Sequence, residues 1–162
     1  MKSCAFAYGS GTVELPLDEK NVIGELLGNA VAPLADIRAA LWASLDAPID
    51  SAPLCQRARA GDTVALVVSD MTRFWMRQDL VVPHLVDYLT ERCGVREEDI
   101  TIVIANGTHI GGDDQELRTL LTDPVYDRVK GKNHDREPKA PVYLGPPPPG
   151  PPPPGLFLGR WL

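Results

Sequence analysis

The sequence has few aromatic residues, no cysteine motif, no excess of positive charge and no long apolar run. No apolar stretch approaches the roughly 20 residues needed to span a bilayer, so no membrane segment is expected. The N-terminus has one lysine and a very short apolar run, which is too little for a secretory signal peptide. A cytoplasmic protein is therefore the default expectation.

Positive charge is in deficit, because 16 lysine and arginine residues face 22 acidic residues and the net charge is −6. A chain of this charge has no general electrostatic attraction for nucleic acid or for anionic membrane surfaces. An anionic ligand would have to be held by a few donors placed close to it. Neither nucleic acid nor a membrane is an expected partner.

The three cysteines, Cys4, Cys55 and Cys93, are widely spaced and include no Cys-x-x-Cys pair. This pattern argues against zinc ribbons and disulfide frameworks, and each cysteine is expected to be a small core or surface residue. The three histidines include no pair at the close helical spacing of a metal site, so none is predicted. A P-loop, a GxGxxG fingerprint and a GxSxG elbow are also absent.

Proline is concentrated near the end of the sequence. Eight of the 16 prolines lie in residues 146–154, and the preceding chain has ordinary composition. We expect residues 1–145 to form an α/β domain and residues 146–162 to be a disordered tail rich in proline and glycine. A tail of this kind can be a polyproline II ligand or spacer, a natural disordered end, or the product of a shifted reading frame.

Two continuous apolar runs, at residues 63–68 and 100–105, are typical of strands buried on both faces of a parallel sheet. Apolar residues at helical spacing between them predict a helix over about residues 79–93. Strand, helix and strand together form a βαβ unit, which is almost always right-handed. The fold class predicted is α/β, a Rossmann-like open and mostly parallel sheet flanked by helices.

Other segments extend this prediction. Alternating apolar residues at 13–17 and the run at 4–8 predict a β-rich N-terminal edge. Helical spacing after Pro33 predicts a helix that ends before Pro48. Further on, two short helices are predicted, one with Asp113 and Glu116 as a capping box, and one with Asp123 as N-cap before Pro124.

Ligands of open parallel sheets bind beyond the carboxyl ends of the strands. This rule selects residues 69–73 (Ser-Asp-Met-Thr-Arg) and 105–109 (Ala-Asn-Gly-Thr-His), one after each buried strand. If the strands are neighbours, six side chains of these loops face one crevice. They are those of Asp70, Thr72, Arg73, Asn106, Thr108 and His109.

Each of these residues also has a structural interpretation. Asp70 can simply cap the following turn, and Arg73 can be a solvated charge, although an arginine here also suits a phosphate or a carboxylate. His109 has the chemistry of a general acid or base, or it is a loop histidine without a role. His84 is expected to be a surface or partly packed helix residue, and His134 to belong to a turn.

Taken together, several segments resemble the N-terminal half of the nickel-dependent lactate racemases. The similarity runs in order and spacing from about residue 5 to residue 145, and its most specific parts are Asp-x-Thr-Arg and Gly-x-His. The segments that carry it are residues 8–11, 47–54, 69–73, 105–109 and 129–135.

The resemblance implies a two-domain α/β enzyme that binds a nickel-pincer nucleotide, the nickel complex of pyridinium-3,5-bisthiocarboxylic acid mononucleotide. The substrate implied is a small 2-hydroxy acid, whose α-carbon gives a hydride to the cofactor and receives it back on the other face. By this resemblance, Asp70, Met71, Thr72 and Arg73 hold the nucleotide, with Thr72 and Arg73 at its phosphate. His109 is one of two histidine bases.

The sequence departs from the family pattern in two respects. Phe74 and Trp75 follow Arg73 where the family usually has proline, so the substrate pocket is expected to differ. The family's second base histidine, cofactor-tethering lysine and nickel-ligating histidine fall after residue 145, where this chain has no histidine or lysine. Truncation or a shifted frame is therefore the favoured explanation of the tail, and the chain alone is expected to be inactive. The alternative is a non-catalytic α/β module that binds a nucleotide or anion and pairs with a separate partner.

Overall fold

A computed structural model describes residues 1–137 of the chain. The chain divides into two compact units, the first of which comprises residues Met1–Pro33. In it, β1 (Lys2–Tyr8) pairs antiparallel with β2 (Gly11–Leu17). Gly9, with φ of 57°, takes the left-handed conformation that the two-residue turn requires. The predicted N-terminal strand pair is thus present as a two-stranded hairpin.

The second unit begins at Leu34 and contains a three-stranded parallel sheet. Its strands are β3 (Val64–Ser69), β4 (Ile100–Ala105) and β5 (Lys130–Asn133), in that order across the sheet. β3 and β4 pair over their full lengths. The α/β class and the strand–helix–strand unit predicted from the apolar runs are confirmed.

Helices connect these strands and precede the first. They are α1 (Ile37–Asp46), α2 (Leu54–Arg57), α3 (Val82–Asp87), α4 (Asp114–Leu121) and α5 (Asp123–Arg128).

α3 continues as a π turn over Tyr88–Arg92, so one helical segment occupies most of the predicted span. It ends before Gly94, whose φ of 72° suits the left-handed residue after a helix. The predicted end of α1 before Pro48 is also confirmed.

The start of α4 follows the predicted capping pattern, because the Asp113 carboxylate accepts a hydrogen bond from the Glu116 amide. The expected N-cap of α5 is wrong by one residue. Thr122, with φ of 71°, precedes the helix, and Asp123 already lies in its first turn. The negative charge of Asp123 still lies at the positive end of the helix dipole, which explains why the sequence looked like a start signal.

The core lies where α3, α4 and α5 pack on the sheet. Ile100, Ile102 and Ile104 alternate along β4 and are at most 2% exposed. They pack with buried side chains of the helices, including Val86, Leu89, Leu117, Leu120, Leu121 and Val125. This core fixes the position of the loop that follows β4.

The expectation that both faces of β3 are buried is wrong. Val68 is buried, but Ala65 and Val67 on the other face are exposed, with 63% of Val67 accessible. β3 is an edge strand of the described sheet, and the described packing against it lies on one face. The continuous apolar run of β3 is therefore not evidence that both of its faces are buried.

Other sequence predictions fall outside the described residues. These concern the last residues of the predicted domain, 138–145, and the tail at residues 146–162. Within residues 1–137, no helix is both long and apolar enough to cross a membrane.

Candidate functional site

The site lies at the carboxyl ends of β3 and β4. The parallel ladder pairs Ser69 with Ala105, the last residues of the two strands. Asp70 and Asn106 follow these residues directly and are both buried, at 8% and 2% exposure. The sheet register therefore brings together two loops that are far apart in the sequence, as the strand-end rule predicts.

Asp70 and His109 are in direct contact across these loops. Oδ2 of Asp70 lies 2.5 Å from Nδ1 of His109, and the Thr72 hydroxyl donates a hydrogen bond of 2.6 Å to Oδ1. Thr72, and to a smaller degree His109, lower the pKa of Asp70 below its ordinary value, while burial opposes the shift. The carboxylate is thus ionised near neutral pH and both of its oxygens are engaged.

Short turns hold these side chains in place. The Arg73 amide donates to the Asp70 carbonyl at 3.0 Å, which opens a 3₁₀ turn over Met71–Met76. In the other loop, the His109 amide donates to the Asn106 carbonyl at 2.9 Å. Gly107, with φ of 57°, supplies the left-handed residue of that turn.

A glutamine secures the end of β3 from the side. The Gln78 amide oxygen accepts from the Ser69 amide at 2.8 Å, and its nitrogen donates to the Ser69 carbonyl at 3.2 Å. This pair of bonds resembles one rung of a sheet. Ser69 is therefore held on one side by β4 and on the other by a side chain, which limits movement of the adjacent Asp70.

Asn106 links the loop after β4 to the end of β5. Its Nδ2 donates to Oδ1 of Asn133 at 3.1 Å and to the carbonyl of His134 at 3.2 Å. Its Oδ1 is buried and has no hydrogen-bond partner among the residues described. A buried acceptor of this kind is available to a ligand donor, because leaving it unpaired costs about 1–3 kcal/mol.

A cavity of about 130 Å³ opens beside these groups, between the strand ends and α4. Its wall combines polar side chains with the apolar side of α4. The lining residues are Asp70, Met71, Thr72, Ile104, Asn106, His109, Ile110, Gly112, Glu116, Leu117, Leu120 and Asn133.

The structure does not bring every predicted side chain into the cavity. Thr108 is exposed and does not line it, although its carbonyl accepts a hydrogen bond from Arg136 at 2.9 Å. Arg73 is exposed on the 3₁₀ turn, also outside the lining, and it forms no ion pair or hydrogen bond with any described side chain. Arg73 is thus a cation near the carboxyl end of β3 that lacks a described partner.

Sequence reasoning missed Asn133 and Glu116 as lining residues. Asn133 ends β5 and donates to the Gly112 carbonyl at 2.8 Å. The loop lies so close that a Cβ at Gly111 would come 2.8 Å from Cγ of Asn133. The sequence indicated Glu116 only as a capping residue. It did not predict β5 as a strand, because Lys-Gly-Lys-Asn lacks the residues typical of strands.

The remaining histidines do not take part in the Asp70–His109 contact, although His134 lines a neighbouring depression together with His109. His84 is part of α3, and Nδ1 of its ring is buried without a partner in the described chain. His134 follows β5, where its amide donates to the Ile104 carbonyl at 2.9 Å and extends the ladder. Within residues 1–137, no group of three or more histidine, cysteine or acidic residues is arranged to hold a metal ion.

Comparison with known structures shows the fold. The chain matches the lactate racemase apoprotein from Thermoanaerobacterium thermosaccharolyticum with a TM-score of 0.69 and 20% identity. The match covers 83% of this chain and 30% of the racemase, so the chain spans less than a third of that protein. Among curated proteins, none matches the sequence.

A family comparison goes further than the fold. The family described as the lactate racemase N-terminal domain matches residues 8–152, which include both strand-end loops and nearly the whole chain. The resemblance inferred from the Asp-x-Thr-Arg and Gly-x-His segments is therefore confirmed. The chain belongs to the lactate racemase N-terminal domain family.

Proposed function

We propose that this chain is the N-terminal domain of an enzyme that uses a nickel-pincer nucleotide to racemise or epimerise a small 2-hydroxy acid. The observation that carries the proposal is the contact of 2.5 Å between Asp70 and His109 at the strand ends. This contact orients the imidazole of His109, which lines the cavity. Together with the family membership, this arrangement supports acid–base chemistry on a small substrate.

His109 acts as the base for the hydroxyl proton of the substrate. Because the Asp70 carboxylate only accepts hydrogen bonds, a neutral His109 ring donates from Nδ1 and keeps a lone pair on Nε2. Nε2 takes the proton when the hydroxyl is oxidised and returns it when the carbonyl is reduced. Asp70 is a positioning residue, which sets the tautomer and stabilises the imidazolium while the proton is held.

The side chains at the carboxyl ends of β3 and β4 fit the nucleotide part of the cofactor. Arg73 is exposed without a described partner and suits a phosphate, as a guanidinium forms charge-assisted hydrogen bonds. The unpaired Oδ1 of Asn106 suits a hydroxyl donor such as that of a ribose or substrate. We assign Asp70, Met71, Thr72 and Arg73 to the cofactor side of the site. The cofactor, when bound, supplies the acceptor for the hydride of the α-carbon.

The size of the cavity supports a division of the site between two parts of a larger enzyme. Small-molecule sites typically occupy about 300–1,000 Å³. The cavity beside Asp70 measures about 130 Å³, which suits one small group, and the adjoining depression of about 440 Å³, which shares His109, Ile110 and Asn133 with it, is more open to solvent. The chain also spans only 30% of the racemase that it matches. We therefore expect this chain by itself to be inactive.

An activity assay tests the expected inactivity of the chain and, if the chain proves active, the role of His109. The purified chain is incubated with the nickel-pincer nucleotide and one enantiomer of lactate, and the other enantiomer is measured by chiral chromatography. No racemisation is expected. Robust racemisation by the chain alone would overturn the expected inactivity. Racemisation that persisted in His109→Ala would overturn the base role.

Calorimetry tests the cofactor side without depending on activity. Nicotinate mononucleotide serves as the probe because it combines a pyridinium ring with a ribose phosphate. Arg73→Ala is expected to weaken its binding by about 10- to 100-fold, the equivalent of one charge-assisted hydrogen bond. Arg96→Ala is the matched control, as Arg96 pairs with Asp99 at the opposite end of β4. Equal affinities in wild type and Arg73→Ala would exclude the phosphate role.

A further inference from the structure

Two of the three cysteines meet in the folded second unit. Cys55 lies in α2 and Cys93, 38 positions further along the chain, directly follows the π turn. Their sulfur atoms are 2.8 Å apart although both are free thiols. A covalent S–S bond is about 2.05 Å long, so a shift of less than about 1 Å would bring the two sulfurs to bonding distance.

The surroundings of the pair make the two thiols chemically unequal. Cys93 is buried at 8% exposure, whereas Cys55 is half-buried and is thus the more exposed residue of the two. Burial, followed by the neighbouring Cys55, raises the pKa of Cys93 to about 12, so this thiol is protonated near neutral pH. A reagent in solution therefore meets Cys55 first.

A metal site is a poor explanation of the pair. Structural zinc takes four ligands and catalytic zinc at least three from the protein. No group of three or more histidine, cysteine or acidic residues in the described chain is arranged to hold a metal. The nearby Tyr88 hydroxyl is itself engaged, since it donates to Asp46 at 2.6 Å. Two adjacent thiols without a third ligand favour redox chemistry between them.

We propose that Cys55 and Cys93 form a reversible disulfide by exchange with a low-molecular-weight disulfide. The Cys55 thiolate attacks one sulfur of that oxidant, forms a mixed disulfide and releases one small thiolate. Cys93 then gives up its proton, attacks the Cys55 sulfur and displaces the second small thiolate. The two protein thiols lose two electrons and two protons, and the oxidant becomes two thiols.

The crosslink would act on one half of the strand-end site. The chain between Cys55 and Cys93 includes β3, the loop of Asp70 and α3, whereas His109 lies outside it. The bond would close this segment into a covalent loop and reduce the number of unfolded conformations. For a loop of 38 positions, we expect the unfolding midpoint to rise by roughly 10 °C.

Thiol counting on the full chain tests the proposal. The reduced, native protein is incubated with oxidised glutathione, quenched with acid and titrated for thiols after denaturation. Because Cys4 is half-buried like Cys55 and can itself take up glutathione, the expected signature is a Cys55–Cys93 crosslinked peptide with the loss of the mass of two hydrogens from this pair. Cys4→Ser is the matched control, and it should fall from two thiols to none without forming a dimer.

Single replacements distinguish the order of attack. Cys93→Ser should stop at a glutathione adduct on Cys55, while Cys55→Ser should react more slowly because Cys93 is buried. If either variant does not fold, the mass of oxidised Cys4→Ser still decides, because a crosslink removes two hydrogens whereas two separate adducts add two glutathione groups. Two free thiols remaining in oxidised Cys4→Ser, or crosslinking only after denaturation, would overturn the proposal.

Discussion

Replacing Asp70 by asparagine should reverse the hydrogen bond that orients His109. In the wild type, Oδ2 of Asp70 lies 2.5 Å from Nδ1 of His109, and the carboxylate can only accept. In Asp70→Asn, the amide oxygen remains with the Thr72 hydroxyl and the amide nitrogen faces the ring. Because that nitrogen can only donate, Nδ1 must accept, and the ring proton moves to Nε2.

The size of the effect follows from the exposure of the two partners. A hydrogen bond to a charged group contributes about 1.5–3 kcal/mol. The Asp70 side chain is 11% exposed, but that of His109 is 53% exposed, so solvent screens the contact and the lower end of the range applies. Since about 1.4 kcal/mol is a factor of ten, we expect the Nδ1-protonated tautomer to dominate about tenfold in the wild type. The preference should reverse in the variant.

Nitrogen NMR of the imidazole rings measures the tautomer directly. Spectra are recorded at about pH 8, where an ordinary histidine is neutral, and His109→Gln identifies the signal. Asp127→Asn is the control, because Asp127 contacts Arg118 on the surface and not His109. A wild-type ring protonated mainly on Nε2, or an unchanged tautomer in Asp70→Asn, would refute the positioning role of Asp70.

Two further predictions concern the pKa of Asp70 and the wall of the cavity. Thr72→Val is expected to raise the pKa of Asp70, measured by carbon NMR of the carboxyl group, because it removes the hydroxyl that bonds to the carboxylate. Thr72→Ser keeps the hydroxyl and should keep this pKa low. An Asp70 pKa in Thr72→Val equal to that of the wild type would contradict the role of the hydroxyl. Because this pKa is lowered on folding, the ionised carboxylate stabilises the fold above about pH 4, and the contribution is lost as the pH falls through the lowered pKa. Leu120→Ala should lower the free energy of unfolding in urea by about 2–5 kcal/mol, since Leu120 is 1% exposed. Ile110→Ala, which replaces a cavity residue that is 80% exposed, should change it by less than about 0.5 kcal/mol, and comparable losses would contradict this assignment of the core.

The sequence predicts the central part of the fold because its apolar runs are strong signals. β4 has the predicted bounds, Ile100–Ala105, and β3 is displaced by one residue. Parallel pairing then requires the two following loops to lie at one edge, which is why the proximity of Asp70 and His109 could be anticipated. Their contact distance, and the third partner Thr72, required coordinates.

Other features had no local signal. β5 is polar, and the partner of Asn133 in the site is Asn106, which is far away in the sequence. The proximity of Cys55 and Cys93 depends on how α2 packs beside the end of the α3 segment, so the spacing of the cysteines in the sequence could not reveal it. The exposure of Val67 likewise depends on which faces of the sheet the helices cover, so it could not be predicted from the apolar character of the residue.

The contact between Asp70 and His109 spans 39 positions of the sequence, and no single helix or turn contains both residues. It depends on the register of β3 against β4, in which Ser69 lies opposite Ala105. Insertions in the loop around Gly94, at the far end of the sheet, would lengthen the chain between the partners without moving either one. The intervening segment can therefore diverge in length among related proteins, whereas a slip of one residue between the strands would separate the pair by about 3.3 Å and abolish it.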